Sequence, residues 1–238
     1  LTPELSIVIP VYNEGENIAK TLAGISENVG FLEAEIVIVY DFDEDSTVPV
    51  VEKLKPSIPG IRLHKNDTGR GVLNAIRSGF AAARAPFVLV MMADGSDNPA
   101  SIVPMVSLAN QGADVVAGSR YMPGGKQVGG PPLKKLLSRA AGISLYLLRA
   151  LPIRDATNNF RLYSRRVLDE IPIQSEGGFE LALELTVKAH LAGMKVTETP
   201  TTWQDRSAGE SRFKLMKWLP SYLRWYRLAL FSRRSPDR

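Results

Sequence analysis

Four apolar runs of strand length mark the first half of the chain: Leu5 to Val11 (LSIVIPV), Glu35 to Asp41 (EIVIVYD), the weaker Ile61 to His64, and Phe87 to Met92 (FVLVMM). Runs without polar alternation predict strands buried on both faces of a parallel sheet. Helical patterns separate them. Tyr12-Asn13-Glu14-Gly15 turns into a helix through about Asn28, Ser46 can cap a short helix, and Gly69 to Arg84 spaces Val72, Ala75, Ile76, Gly79 and Phe80 as one helical face. A helix over 99–110 and a strand over 114–117 follow. Strands alternating with helices predict an α/β fold with a doubly wound, mostly parallel sheet and helices on both faces.

After Gly118 the pattern changes. Met122 to Pro132 (MPGGKQVGGPP) holds four glycines and three prolines, which predicts a mobile surface loop of the kind that serves as a lid. A long helix is expected over Pro132 to Leu151, with Lys134, Lys135, Arg139 and Arg149 among leucines. Further expectations are a strand over Phe160 to Ser164, a helix over Phe179 to Leu191, a last strand over Lys195 to Thr199, and an amphipathic helix over Lys214 to Phe231. Glu180 and Glu184, one turn apart, read as partners for buried arginines. Pro220 is expected to break the terminal helix near Ser221. The expected division is therefore a main domain over 1–213 and a basic, aromatic helix and tail over 214–238.

Composition narrows the chemistry. Of 238 residues, 45% are apolar and 23% charged, so the chain can bury a substantial core as one large domain. With no cysteine and only His64 and His190, thiolate metal sites, disulfides and a cysteine nucleophile are excluded, and a multi-histidine zinc site is disfavoured. The absence of disulfides is compatible with a reducing cytoplasm. No run of about 18 apolar residues could span a bilayer, and nothing resembles a signal peptide. The chain begins without Met, so flanking segments outside this sequence are expected. Net charge is only +4, but the acids crowd Asp41, Asp43, Glu44 and Asp45, whereas Arg206 to Arg238 is rich in Arg and Lys among Trp, Tyr, Phe and Leu. Basic residues interleaved with apolar ones suit a helix lying in a lipid headgroup layer better than a nucleic-acid surface.

The strand over Phe87 to Met92 stops on Ala93-Asp94-Gly95-Ser96-Asp97-Asn98-Pro99. Ligands of open α/β sheets bind beyond the carboxyl ends of the strands. Carboxylates there suit a hard divalent cation, which takes oxygen ligands and brings phosphates with it. Asp, Ser and Asn also cap helices, and this stretch alone fits either role.

The ordered series IVIPVYNE, IVIVYDFDEDST, GRGVLNAIRSGF, VLVMMADGSDNP, VVAGSRY, DATNNFRLYSR and RSAGESRFK resembles the inverting family-2 glycosyltransferases of the GT-A fold, in particular the polyprenyl-phosphate sugar synthases. The similarity runs from about Leu5 to Lys214. It implies a Rossmann-like sheet with Pro10, Tyr12, Glu14, Val39 and Asp41 around the nucleobase and ribose of a donor. It also implies Arg70, Ala93, Arg120, Arg206 and Arg212 (or Lys214) around its phosphates, and a metal held by Asp94 with Ser96 and Asp97. Two departures stand out: Met92 occupies the place of the first acid of the D-x-D motif, and Asp41-Phe42-Asp43 replaces an adjacent acidic pair.

What the resemblance implies is transfer of a sugar, with inversion, from a GDP- or UDP-sugar to a polyprenyl phosphate, assisted by Mg²⁺ or Mn²⁺. Asp94, Asp97 and Arg120 would be the catalytic residues. The enzyme would sit in the cytoplasm, peripheral to the membrane surface that carries its acceptor. A lipid phosphate is already anionic and needs no strong base, so the lack of an obvious histidine base fits. Two other readings stay open. One is transfer to a hydroxyl of a glycan or protein, with Asp97 as base; the other, prompted by Met92, is a silent nucleotide-sugar-binding protein.

Overall fold

The computed structural model describes residues 2–30, 32–178, 180–205 and 215–232. The predicted runs become β1 (Leu5–Pro10), β2 (Ala34–Tyr40), β3 (Ile61–Lys65) and β4 (Phe87–Val90). They are joined by α1 (Ile18–Val29), α2 (Thr47–Leu54) and α3 (Val72–Ala82). Beyond them lie α4 (Ile102–Asn110), β5 (Val115–Ser119), β6 (Lys126–Val128), α5 (Pro132–Leu147), β7 (Arg161–Ser164) and α6 (Arg165–Glu170). The chain closes with α7 (Leu181–Leu191), β8 (Val196–Pro200), β9 (Thr202–Gln204) and α8 (Leu215–Phe231).

Seven strands form one sheet in the order β3-β2-β1-β4-β7-β5-β8. All neighbours pair in parallel except β7, which runs antiparallel between β4 and β5. The order turns outward in both directions from β1 and β4. That reversal opens a crevice at the carboxyl ends of the strands.

Alternation along each strand feeds two cores. Leu5, Ile7 and Ile9 face α1 and α4, meeting Leu22, Ile25 and Met105. Val8, Val37 and Val39 point the other way, toward Leu73, Ile76 and Phe80 of α3 and on to Leu183 and Leu185 of α7. With both faces covered, nothing along these strands has to be polar, which is why their sequence reads as unbroken apolar runs.

Three expectations need correction. The Gly-rich stretch 122–132 is not structureless: Lys126–Val128 forms β6 and pairs in parallel with β9. Loop composition does not reveal a short strand whose partner lies some 75 residues on. The helix after it ends at Leu147 rather than Leu151, where Arg149 turns to φ 57°. And α8 runs through Pro220 without a break. Losing one N–H costs a helix a single bond, and packing of the second half, where Trp225 and Ala229 are buried in the core, holds the remainder. Burial also removes Trp225 from the aromatic residues expected at a lipid surface.

Candidate active site

The predicted residues converge on the carboxyl edge of the sheet. Pro10 ends β1, Val39 and Asp41 end β2, and Ala93 to Asp97 follow β4. Arg120 follows β5 directly. Arg206, Arg212 and Lys214 lie outside the described residues, and the site is built here without them.

On the β1–β2 side, three of the four crowded acids, Asp41, Asp43 and Asp45, separate into distinct roles. Asp41 Oδ1 accepts from Asn66 Nδ2 at 2.8 Å and Oδ2 from the Gly71 amide at 2.8 Å. Gly71 reaches that geometry with φ 116°, a conformation that glycine adopts at no steric cost. Asp45 is fully buried and holds the amides of Asn13 and Thr47, so its role is architectural. Asp43 is exposed and pairs with Lys65 at 2.6 Å. Above Asp41 stand Tyr12, 42% exposed, and Phe42, their rings edge to face at 5.4 Å, with the Arg70 guanidinium 5.5 Å from the Phe42 ring. Glu14 accepts from Asn17 Nδ2 at 2.8 Å. An exposed tyrosine ring can stack on a planar heterocycle, and a fixed carboxylate beside it can accept from that heterocycle's N–H groups.

The loop after β4 separates capping from ligation. The capping residue is Asn98, whose Oδ1 accepts from the Ala100 amide. Asp94 Oδ1 accepts from the Ser96 amide at 3.1 Å, and Asp97 Oδ2 accepts from the Met92 amide at 3.0 Å. Two outer bonds anchor the loop: Thr21 Oγ1 donates to the Ala93 carbonyl, and the Gln204 amide donates to that of Ser96. Asp94, Ser96 and Asp97 are all buried. Burial, reinforced by the negative charge of Asp94, pushes the Asp97 carboxyl up to about 7, against the pull of the Met92 amide and Arg120. Two buried carboxyls, Asp94 and Asp97, together form a hard-oxygen donor set. That set would suit a hard divalent cation such as Mg²⁺ or Mn²⁺. Among the described residues no cluster of three or more acids and histidines is present.

Arg120 is more deeply engaged than a phosphate arm need be. Nε donates to Asp155 Oδ2 at 2.7 Å, and Nη2 donates to Asp155 Oδ1, Ser138 Oγ and Thr157 Oγ1, each at 3.0 Å. Burial alone would lower the guanidinium pKa, but Asp155 overrides it and raises the value. Burial would likewise raise Asp155, and Arg120 brings it below the ordinary carboxylate value. The α5 residue Ser138 reaches this cluster because Gly142, one turn on, packs against the Arg154 carbonyl, where any Cβ would collide.

Beside the pair opens a cavity of about 510 Å³, lined by Arg120, Lys126, Lys135, Arg139 and Arg154, with Tyr121 and the glycines of the β6 approach. Arg154 is paired with Glu198, and Lys135 Nζ donates to the Gln127 carbonyl. A slightly larger cavity, about 570 Å³, opens at the opposite edge of the sheet. There the buried Glu35 is held by Ser6 and Arg62, and no chemistry converges on it.

Sequence reasoning overlooked Asp155, Asn66, Lys126 and Arg154. Asp155 lies within DATNNFRLYSR, so a partner for Arg120 was there to be found. Glu180 and Glu184 do not pair with arginines: Glu184 binds Lys188 and the amides of Gln174 and Ser175, while Glu180 accepts from the Gly177 amide. The fully buried arginine, Arg161, donates instead to the carbonyls of Ala182 and Asp155.

The family described as Glycosyl transferase family 2 matches residues 6–172. A dolichol-phosphate mannosyltransferase of Pyrococcus furiosus is 31% identical over 94% of this chain, which spans 63% of that protein's length. An undecaprenyl-phosphate mannosyltransferase of Micrococcus luteus is 32% identical, covering 86% of this chain and 85% of its own length. Glucosyl-3-phosphoglycerate synthase of Mycobacterium tuberculosis, solved with Mn²⁺, UDP and glucosyl-3-phosphoglycerate, shares the fold at TM-score 0.67 and 18% identity, covering 99% of this chain and 81% of that one.

Proposed function

The chain belongs to glycosyl transferase family 2, and we propose that it transfers a sugar, with inversion, from a nucleotide-sugar to a polyprenyl phosphate. The observation that carries this reading is the cation-lined cavity at Arg120, on the same sheet edge as Asp94 and Asp97. The named relatives act on dolichol or undecaprenyl phosphate, which supports the acceptor class.

In this reading Tyr12 and Asp41 receive the base and ribose, together with Pro10, Glu14 and Val39, while Arg70 attends the phosphates. Asp94, Ser96 and Asp97 would hold Mg²⁺ or Mn²⁺ on the donor diphosphate. Bound there, the ion supplies Lewis-acid stabilisation of the departing nucleoside diphosphate. Arg139, Lys135 and Lys126 draw in the acceptor phosphate. Arg120, locked by Asp155, lines the acceptor cavity as a rigid, already paired wall. An anionic phosphate oxygen attacks the anomeric carbon from the face opposite the diphosphate. The new carbon–oxygen bond forms as the old one breaks, and no proton has to move.

One observation favours a hydroxyl acceptor instead: a carboxyl at about 7, such as Asp97, is suited to general-base work. The test offers GDP- and UDP-sugars with Mg²⁺ or Mn²⁺ and compares a prenyl phosphate with hydroxyl acceptors. Sugar appearing on the prenyl phosphate is the expected result. Transfer to hydroxyls alone, or donor binding without release of nucleoside diphosphate, would overturn the proposal.

A further inference from the structure

Phe42 stands in the β2–α2 turn between Asp41 and Asp45, where it interrupts an acidic run. Each of those two acids clamps a neighbouring loop. Asp45 holds the Asn13 amide, and the same turn is tied again by the Ser46 amide donating to Asn13 Oδ1 at 3.1 Å and the Glu14 amide donating to Thr47 Oγ1 at 2.9 Å. Gly15 closes that contact, since a Cβ there would lie 2.7 Å from the Ser46 carbonyl oxygen. On the other side Asp41 holds the 66–71 loop through Asn66 and the Gly71 amide, and Asn66 Oδ1 accepts in turn from the Thr68 amide and hydroxyl. The backbones that carry Tyr12, Phe42 and Arg70 are thereby fixed relative to one another.

Backbone clamps do not order side chains. Tyr12 and Arg70 are both exposed, and ordering such a side chain at the moment of binding costs affinity. The half-buried Phe42 ring orders both. It meets Tyr12 edge to face at an interplanar angle of 64°, and the Arg70 guanidinium lies over it. Both contacts draw on the ring quadrupole. An acid at this position would hold Arg70 as well, but by taking up its N–H donors and neutralising its charge. A ring seats the guanidinium and leaves those donors for phosphate oxygens.

We infer that Phe42 is a positioning residue for the donor: one ring sets Tyr12 for the nucleobase and Arg70 for the diphosphate, so that a nucleoside diphosphate is received as a unit. This rests on the donor reading of Tyr12, Asp41 and Arg70 proposed above. The gain comes from preorganisation, so it is largest for a ligand that uses both contacts and small for a nucleoside or an inorganic diphosphate alone.

The experiment uses the full chain and the variants Phe42→Leu, Phe42→Tyr, Arg70→Gln and Phe42→Leu with Arg70→Gln. Calorimetry with Mn²⁺ measures Kd for GDP, UDP, guanosine, uridine and inorganic diphosphate. Phe42→Leu keeps apolar bulk but removes the ring, and it should weaken whichever nucleoside diphosphate wild type binds by about tenfold. Nucleosides and inorganic diphosphate should change little, and Phe42→Tyr should bind as wild type does. In turnover the donor KM should rise by the same factor while the acceptor KM stays put. Because Phe42 acts partly through Arg70, the Phe42→Leu step should cost less in the Arg70→Gln background than in wild type. Wild-type affinity in Phe42→Leu, an equal loss in Phe42→Tyr, or additive losses in the double variant would each overturn the inference. So would an equal loss for every probe together with a lowered melting temperature, the behaviour of a merely structural ring. Should wild type bind neither GDP nor UDP, the donor reading falls and this inference with it; should it bind one and Phe42→Leu bind it equally well, the donor reading stands and Phe42 alone loses its role.

Discussion

Asp97 and Asp155 are both buried acids on one sheet edge, and they titrate in opposite directions. Asp97 faces Asp94 and rises to about 7; Asp155 faces Arg120 and falls below its ordinary value. The β4 loop gathers two buried carboxyls, the donor set that the proposed function gives to a cation. The Arg120–Asp155 platform is internally neutral and already complete. Both acids are buried; what differs is the neighbour, a second carboxyl at Asp97 and a paired guanidinium at Asp155.

The comparison breaks most severely if the platform loses its acid. Asp155→Ala strands the Arg120 charge, and removing one partner of a buried pair costs about 3–5 kcal/mol, readable in urea melts at pH 7. Because the Asp155 pKa is lowered on folding, its contribution is present above about 4 and is lost as pH falls through the depressed value. The gap between wild type and variant should therefore close in acid. Next comes Asp94→Asn, which should abolish the stabilisation by nucleotide-sugar plus Mn²⁺, worth about 2.7 kcal/mol at a hundredfold excess over Kd. An unchanged thermal shift would remove Asp94 from the metal site.

Asp97→Asn sharpens the contrast from the other side. With a raised pKa, folded Asp97 retains a proton between about 4 and 7 that the unfolded chain releases, so wild type loses stability as pH climbs through that window. Without metal, the variant should be the more stable protein at pH 8 by about 1–2 kcal/mol, and no more stable at pH 4. Equal stability at both pH values would mean that the loop carries no charge strain. The smallest effect belongs to Arg120→Lys. An ammonium can still face Asp155 but cannot also span Ser138 and Thr157, which should cost about 1 kcal/mol of stability in the same melts.

Much of this was legible in the chain. Strands β1, β2 and β4 declared themselves because both their faces are covered, and the acids after β4 stood where a parallel sheet binds its ligands. Direction was not legible: FRLYS reports burial, and burial is the same whichever way β7 runs. Nor was partnership across distance, since Asp155 lies 35 residues from Arg120 and nothing local couples them. The same holds for Asp45, one of four neighbouring acids, whose structural role is set by amides of Asn13 and Thr47.

The antiparallel strand has a consequence for the order of assembly. β4 can pair with β1 once residue 90 has been synthesised, but its other edge waits for Arg161 to Ser164. β5 cannot join the sheet before then either, because β7 lies between the two. During synthesis the β3-β2-β1-β4 half thus precedes the rest, with an open strand edge of the kind that invites pairing with other chains. The crevice is completed late, when the strand carrying Arg161 slides between two that were made before it.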